Sequence, residues 1–218
     1  MNWQWLSDNS ADIRSWFLAH LYLAGVSTVL GLVLSLPLGM IAYRFRWTYP
    51  PLINLAGILY TIPSIALFVL LPGLIGTSFL SPLNVIIALT LYTLALLVRV
   101  VADALRAVPE DVRLSAQAMG YRPLASLLRV QLPMAIPVIG AGLRVAAVSN
   151  VSLVAVGTLI GVQQLGQLFT RGLALSNYGA FYTPIWAGIV LSIVIAVAFD
   201  LLILLGIRLA SPWQRVSR

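Results

Sequence analysis

Residues 109–133 read Pro109-Glu110-Asp111-Val112-Arg113-Leu114-Ser115-Ala116-Gln117-Ala118-Met119-Gly120-Tyr121-Arg122-Pro123, then Leu124 to Leu132-Pro133, a polar island in an apolar chain. Proline followed by two acids starts a helix, because proline's φ suits the first helical position and carboxylates favour the positive end of the dipole. Gly120 is a natural stop, since the residue after a helix often needs positive φ. Pro123 opens a second helix whose Leu124, Leu127 and Leu128 share one apolar face. The prediction is two short helices with a sharp turn between them. They are too short and polar to cross a bilayer and are suited to lying on its surface and docking into a partner.

On either side of this island the sequence is long, apolar and almost free of charge. A span needs about 20 mostly apolar residues to cross about 30 Å of hydrocarbon. No formal charge occurs between Arg14 and Arg44, nor between Arg46 and Arg99. The first run predicts a span near 16–43. The second has room for two, broken by Pro72, Gly73, Gly76, Ser81 and Pro82, near 52–71 and 83–105. Two more follow near 134–160 and 184–210. The expected fold is all-α: a polytopic membrane protein of about five transmembrane helices, one domain over 1–218, with the 106–133 segment as a surface loop.

Composition agrees. Of 218 residues 61% are hydrophobic and 9% charged, where a soluble domain carries about a quarter charged. The formal charge is +7 and lysine is absent. No soluble basic face exists to hold nucleic acid, and a chain without lysine has no Walker phosphate loop. With no cysteine, disulfides and thiolate metal sites are excluded. Asp8 and Asp12 stand where a signal peptide would be basic, and the apolar run from Trp16 is too long for one, so a retained first span is expected.

Arginines set the orientation. With five spans, Arg44, Arg46, Arg106, Arg113, Arg122, Arg129, Arg208, Arg215 and Arg218 share one side, against Arg14 and Arg171 on the other. The positive-inside rule makes the rich side cytoplasmic, with the N-terminus outside and the C-terminus inside. Pro37 with Gly39, Pro63, Pro137 with Gly140 and Gly142, and Gly157 with Gly161 predict bent or interrupted helices. The spacing of Gly142, Ala146 and Asn150 suits close helix contact.

The 109–133 segment resembles the cytoplasmic loop of ATP-binding-cassette importer permeases. That loop is patterned Glu-Ala-Ala, three residues, Gly, nine residues, an aliphatic, one residue, then Leu-Pro. Leu114-Ser115-Ala116, Gly120, Val130 and Leu132-Pro133 fall at those positions. Leu114 replaces the glutamate and Ser115 the first alanine. The resemblance implies a bacterial cell-membrane permease whose coupling helix, with Ala116, Gly120, Val130, Leu132 and Pro133, fits a groove on an ATPase subunit. ATP and Mg would be held by that partner, with no cofactor and no catalytic residue in this chain. A second permease copy or homologue and an extracytoplasmic substrate-binding protein would complete the assembly.

Three further segments are similar to the osmoprotectant permeases, for glycine betaine, carnitine and choline. They are Tyr60-Thr61-Ile62-Pro63-Ser64-Ile65-Ala66-Leu67; Leu91-Tyr92 through Arg99; and Leu153 to Gly161 with Leu165-Gly166 and Arg171-Gly172-Leu173. One departure is Gln163-Gln164, where relatives commonly carry glycines. Tyr60, Thr61, Ser64, Tyr92, Ser149, Asn150 and Ser152 are candidates for a pathway lining, since polar groups face inward at mid-membrane and aromatic faces attract a quaternary ammonium. Each is equally able to bond a neighbouring helix. The binding protein is expected to dock near 162–183, where Gly166, Gly172 and Gly179 permit a re-entrant or mobile segment.

Charges within the spans make their own predictions. Arg99, Asp103 and Arg106 share a helix face and form an ion-pair cluster at the cytoplasmic end. Arg144 and Asp200 either pair or snorkel to the interface. His20 is an interfacial or packed residue. Two other classes fit less well. A secondary transporter calls for buried acids and repeated halves, and an intramembrane enzyme for convergent catalytic groups or a metal cluster. Import of an amino acid or another small solute remains the alternative within the favoured class.

Overall fold

The computed structural model describes residues 2–176 and 182–212, and within them all regular structure is helical. A short helix α1 (Trp3–Asp8) leads into α2 (Ser10–Arg44), followed by α3 (Tyr49–Thr61), α4 (Ser64–Ile75) and α5 (Pro82–Arg106). After α6 (Glu110–Ala118) comes α7 (Pro123–Ile160), which contains a π-helical turn, Leu127–Gln131, and ends in a 3-10 turn, Gly157–Ile160. Helices α8 (Gly166–Ser176) and α9 (Thr183–Ala210) complete the described chain. Among the described residues, four helices are long and apolar enough to cross a membrane: α2, α5, α7 and α9.

The span expected near 52–71 is not one helix. It is the pair α3 and α4, meeting at 103°. Pro63 has no N–H to donate and drives the preceding residue out of the helical region, and Ile62 sits at φ −67°, ψ 126°. The Tyr92 hydroxyl donates to the freed Ile62 carbonyl. With 13 and 12 residues, each half reaches only about 20 Å, so neither crosses alone.

Helix α5 is the axis of the bundle. Two-thirds of its most apolar stretch is buried, against 11% for α9. Its most extensive partner is α2, and the contact runs along Ser27, Gly31, Ser35 and Gly39, all buried and spaced four apart. Small residues at this spacing let two backbones approach. A Cβ at Gly31 would strike the Thr93 side chain, and one at Gly39 would lie 2.5 Å from Val101 Cβ. One apolar core, including Leu23, Phe68, Leu89, Val154 and Leu165, fills one half of the bundle. A smaller one, with Val101, Leu105, Leu127 and Ile139, fills the other.

Two charged groups within the spans, on α7 and α9, pair with each other. Arg144 on α7 meets Asp200 on α9 through two parallel hydrogen bonds of 2.6 and 2.9 Å, the bidentate fork that arginine offers a carboxylate. Both side chains remain partly exposed on the lone chain, facing lipid or a neighbouring subunit. Asp200→Ala is expected to lower the yield of folded protein strongly, since it strands a guanidinium at membrane depth. The exchange of Arg144→Asp with Asp200→Arg is expected to recover most of that yield, read by size-exclusion chromatography in detergent. Equal losses in the single and exchanged variants would mean that the pairing is not what the two positions contribute.

At the end of α5, Asp103 lies 3.5 Å from Arg99 and 3.8 Å from Arg106. Tyr49 adds a 2.8 Å hydrogen bond to the same carboxylate, and Arg106 stacks 3.6 Å over the Tyr49 ring.

Candidate functional site: the coupling element and the polar groups above it

Helix α6 begins at Glu110 after Pro109 and closes on Gly120, whose φ is +82°. The Gly120 N–H donates to the Gln117 carbonyl at 2.9 Å, and the Tyr121 N–H to the Ala116 carbonyl at 3.1 Å. These two bonds are the Schellman closure of a helix end, which needs a left-handed residue. Ala116 is buried against the bundle, while Leu114, Met119 and Leu124 are exposed. The turn therefore holds an apolar surface outward, where a partner subunit could cover it.

The second helix of this element is not separate. Leu124, Leu127 and Leu128 belong to the first turns of α7, and the helix continues through its π-helical turn to Ile160. Leu132 and Pro133 do not end the helix: they follow directly on the π-helical turn, where the hydrogen-bond ladder is already shifted and proline's missing N–H is tolerated. Val130, Leu132 and Pro133 are half-buried in that turn and just beyond it. The surface turn therefore leads straight into a membrane-spanning helix.

Side chains that sequence reasoning passed over tie this element to α2. Arg113 donates to the Tyr43 hydroxyl at 3.4 Å, and Tyr43 donates to Gln131 Oε1 at 2.6 Å. Gln131 in turn donates to Ser126 Oγ at 3.1 Å. No local pattern announces these partners, which lie up to 88 residues apart.

Of the pathway candidates, four come together. Tyr60, Tyr92, Ser149 and Asn150 line one crevice with Thr93, and the two tyrosine rings meet edge to face at 5.8 Å. Its volume is about 10 Å³, room for one water at most and far too little for a trimethylammonium group. The Asn150 amide is spent on Thr28 (2.9 Å) and Thr93 (2.8 Å), joining α2, α5 and α7. Thr61 is exposed and returns its hydroxyl to the Ile58 carbonyl. Ser64 is half-buried at the start of α4, and Ser152 is exposed on α7.

At the opposite end from α6, Gln163 and Gln164 clamp the segment after α7 to α2. The Trp16 indole N–H donates to Gln163 Oε1 at 3.0 Å. Gln164 is buried, accepts from the Gly166 N–H at 2.5 Å and donates to the Ala155 carbonyl at 3.2 Å. Buried His20 donates Nε2–H to the Val151 carbonyl at 2.9 Å, with Nδ1 3.3 Å from Gln164 Oε1. His20 is thus a packed residue. Arg171 lies 4.4 Å over the Trp16 ring, 3.1 Å from Asp12 and 3.3 Å from Asn9. Glycines at 163 and 164 would supply none of these side-chain contacts. Gly179, Arg215 and Arg218 lie outside the described residues.

This arrangement of four spanning helices, a bent pair and a surface turn continuous with a span has a known counterpart. The family described as binding-protein-dependent transport system inner membrane component matches residues 31–206. The chain belongs to that family. The permease is 32% identical over 202 residues to the osmoprotectant import permease protein OsmW of Salmonella typhimurium, covering 91% of this chain and 92% of the relative. It is 29% identical over 209 residues to the choline transport system permease protein OpuBD of Bacillus subtilis, covering 96% and 90%. Among solved structures, an inward-facing MetNI methionine ABC transporter chain shares its fold, with TM-score 0.75, 23% identity and coverage of 91% and 95%. The permease is therefore an inner-membrane, multi-pass component of an ATP-binding-cassette importer and is not itself the catalyst. Membership implies an ATPase partner and a binding protein.

Proposed function

We propose that this permease imports osmoprotectants of the quaternary-amine class, such as glycine betaine, carnitine or choline. The observation that carries this reading is its near full-length similarity to permeases named for osmoprotectant, choline and carnitine transport. The crossed Tyr60 and Tyr92 rings suit such a solute, because aromatic faces attract a quaternary ammonium. The crevice within one chain is too small for it, so the pathway forms between two permeases, along faces that are exposed on one copy alone. Amino-acid import is the second reading, favoured by fold neighbours from a methionine transporter and an amino acid transporter.

In this reading residues 1–218 form one permease domain, and the arginine-rich side is cytoplasmic, with the N-terminus outside. The turn at 114–120, with Ala116 and Gly120, docks on the ATPase. Val130, Leu132 and Pro133 pass its movement into α7. ATP and Mg are held by the ATPase, and the binding protein docks near 162–183. The test is ATPase activity of the reconstituted importer in lipid nanodiscs, with the binding protein and either glycine betaine or an amino acid. Stimulation by glycine betaine is expected. Stimulation by the amino acid alone would discard the substrate and keep the importer. No ATPase response to any solute with the binding protein would count against the coupling roles.

A further inference from the structure

The geometry points to a binding site for an anionic phospholipid, with its phosphate among Arg44, Arg46 and Arg113 and an acyl chain in the apolar groove beside α2. A cavity of about 620 Å³ opens where α2, α5 and α6 meet, lined by Tyr43, Arg44, Arg46, Arg106, Glu110 and Arg113. Four guanidinium groups thus face one carboxylate. Arg106 is already engaged by Tyr49, Asp103 and the Ala42 carbonyl. Among the described residues, Arg44, Arg46 and Glu110 make no ion pair, and Arg113 Nε is buried with no hydrogen-bond partner. With one carboxylate among four guanidinium groups, the cavity carries net positive charge, which an anion would offset. A phosphate offers several acceptor oxygens to the arginine fork.

The groove decides the source of that phosphate. A second cavity of about 350 Å³ is lined by Leu36, Leu132, Ile136, Ile139, Ile203 and Ile207, among others, between α2, α7 and α9. Leu32, Leu36, Met40 and Tyr43 form one stripe of α2, as their spacing of three and four requires. Leu36 lines the apolar groove and Tyr43 the basic cavity, so the two lie along one side of α2. From Leu36 to Tyr43 is about 10 Å along the helix, a span that a lipid bridges from acyl chain to headgroup. Arg44 and Arg106 end α2 and α5, which puts the cavity at the arginine-rich end of the bundle, on the side read as cytoplasmic. Basic pockets between spans at the cytoplasmic side are where anionic headgroups are held. The site rests on the cytoplasmic orientation proposed above. Through Arg113, a bound lipid would brace the coupling helix against α2.

The test reconstitutes the permease with its ATPase in phosphatidylcholine nanodiscs with or without phosphatidylglycerol, then counts retained lipids by native mass spectrometry after release into detergent. Wild type is expected to retain phosphatidylglycerol. Arg46→Gln is expected to lower retention about fivefold, and Arg44→Gln with Arg46→Gln about thirtyfold. Arg129→Gln, outside the cavity, is expected to retain it fully. Gly206 also lines the groove, and a Cβ there meets nothing within 4 Å, so Gly206→Phe fills the acyl half and should reduce retention while the arginines stay intact. Equal retention in all variants would overturn the site. Displacement of the lipid by inorganic phosphate, with Gly206→Phe silent, would assign it to a soluble anion instead. Loss of the ATPase from the arginine variants with lipid retention unchanged would make the occupant an acidic surface of that subunit. Labelling Arg46→Cys with a membrane-impermeant maleimide in sealed vesicles checks the orientation separately, and lipid counting needs no transport, so a wrong substrate leaves this result untouched.

Discussion

Gly31→Leu is expected to destabilise the folded permease by about 3 kcal/mol or more, the upper range for overpacking a close contact. Nothing flexible stands ready to yield. An added Cβ falls on the Thr93 side chain and lies 3.3 Å from the Thr90 carbonyl of α5. Thr93 is itself held by the Asn150 amide, so separating α2 from α5 also disturbs the polar junction with α7. Gly39→Leu should behave alike, since its Cβ meets Val101 and lies 3.0 Å from the Val98 carbonyl. In a thermal melt of the detergent-purified protein followed by tryptophan fluorescence, each is expected to lower Tm by about 6–12 °C. Gly57→Ala is the control, because nothing lies within 4 Å of its Cβ and alanine is the better helix former by up to about 1 kcal/mol. If Gly31→Leu melts with Gly57→Ala, the two helices are not packed backbone to backbone.

The second large effect is on coupling rather than folding. Gly120→Pro should leave the permease inserted and folded yet remove nearly all substrate-stimulated ATPase activity. A Cβ at Gly120 meets no neighbour within 4 Å, so the cost of a side chain there comes from the backbone alone. Proline cannot adopt φ near +82° and has no N–H for the Gln117 carbonyl. The turn must then open, and the exposed Leu114 and Met119 lose the orientation that it gives them. Gly120→Asn is the informative companion, because asparagine visits the left-handed region at a cost of about 1–2 kcal/mol or less. It should keep most of the stimulation. If proline and asparagine prove equally active, the closure of α6 does not carry the coupling.

Much of this architecture could be read from residues with local meaning. Long apolar runs marked α5 and α9 to within one residue at each end, while α2 begins six residues before the expected start at 16. Pro109, Glu110, Asp111 and Gly120 marked both ends of α6. The pairing of Arg144 with Asp200 was one of two readings, chosen by the geometry of two helices that sequence alone does not bring together. Pro63 signalled an interruption, but the angle there depends on Tyr92 accepting the role of hydrogen-bond donor from another helix. The π-helical turn before Leu132 hid the continuity of α7, because Pro133 read as a boundary although the helix that Pro123 opens runs on through it. Tyr43, Gln131 and Thr93 carried no signal at all. Their importance comes from partners far away in the chain, as does that of Gln163 and Gln164, which looked anomalous until Trp16 and His20 were beside them.

Helix α2 has 35 residues, about 52 Å of rise against about 30 Å of hydrocarbon. Even a tilt of 40°, the steep end of the usual range, leaves it too long, so it protrudes from the bilayer. One end holds Arg171 through Asp12 and Asn9, and the other meets the coupling element at Tyr43. Such a strut joins contacts at its two ends within one continuous helix. Thermodynamic reciprocity then applies to it. If a protein docked at one face shifts the binding equilibrium at the other, that second ligand must shift the docking by the same factor.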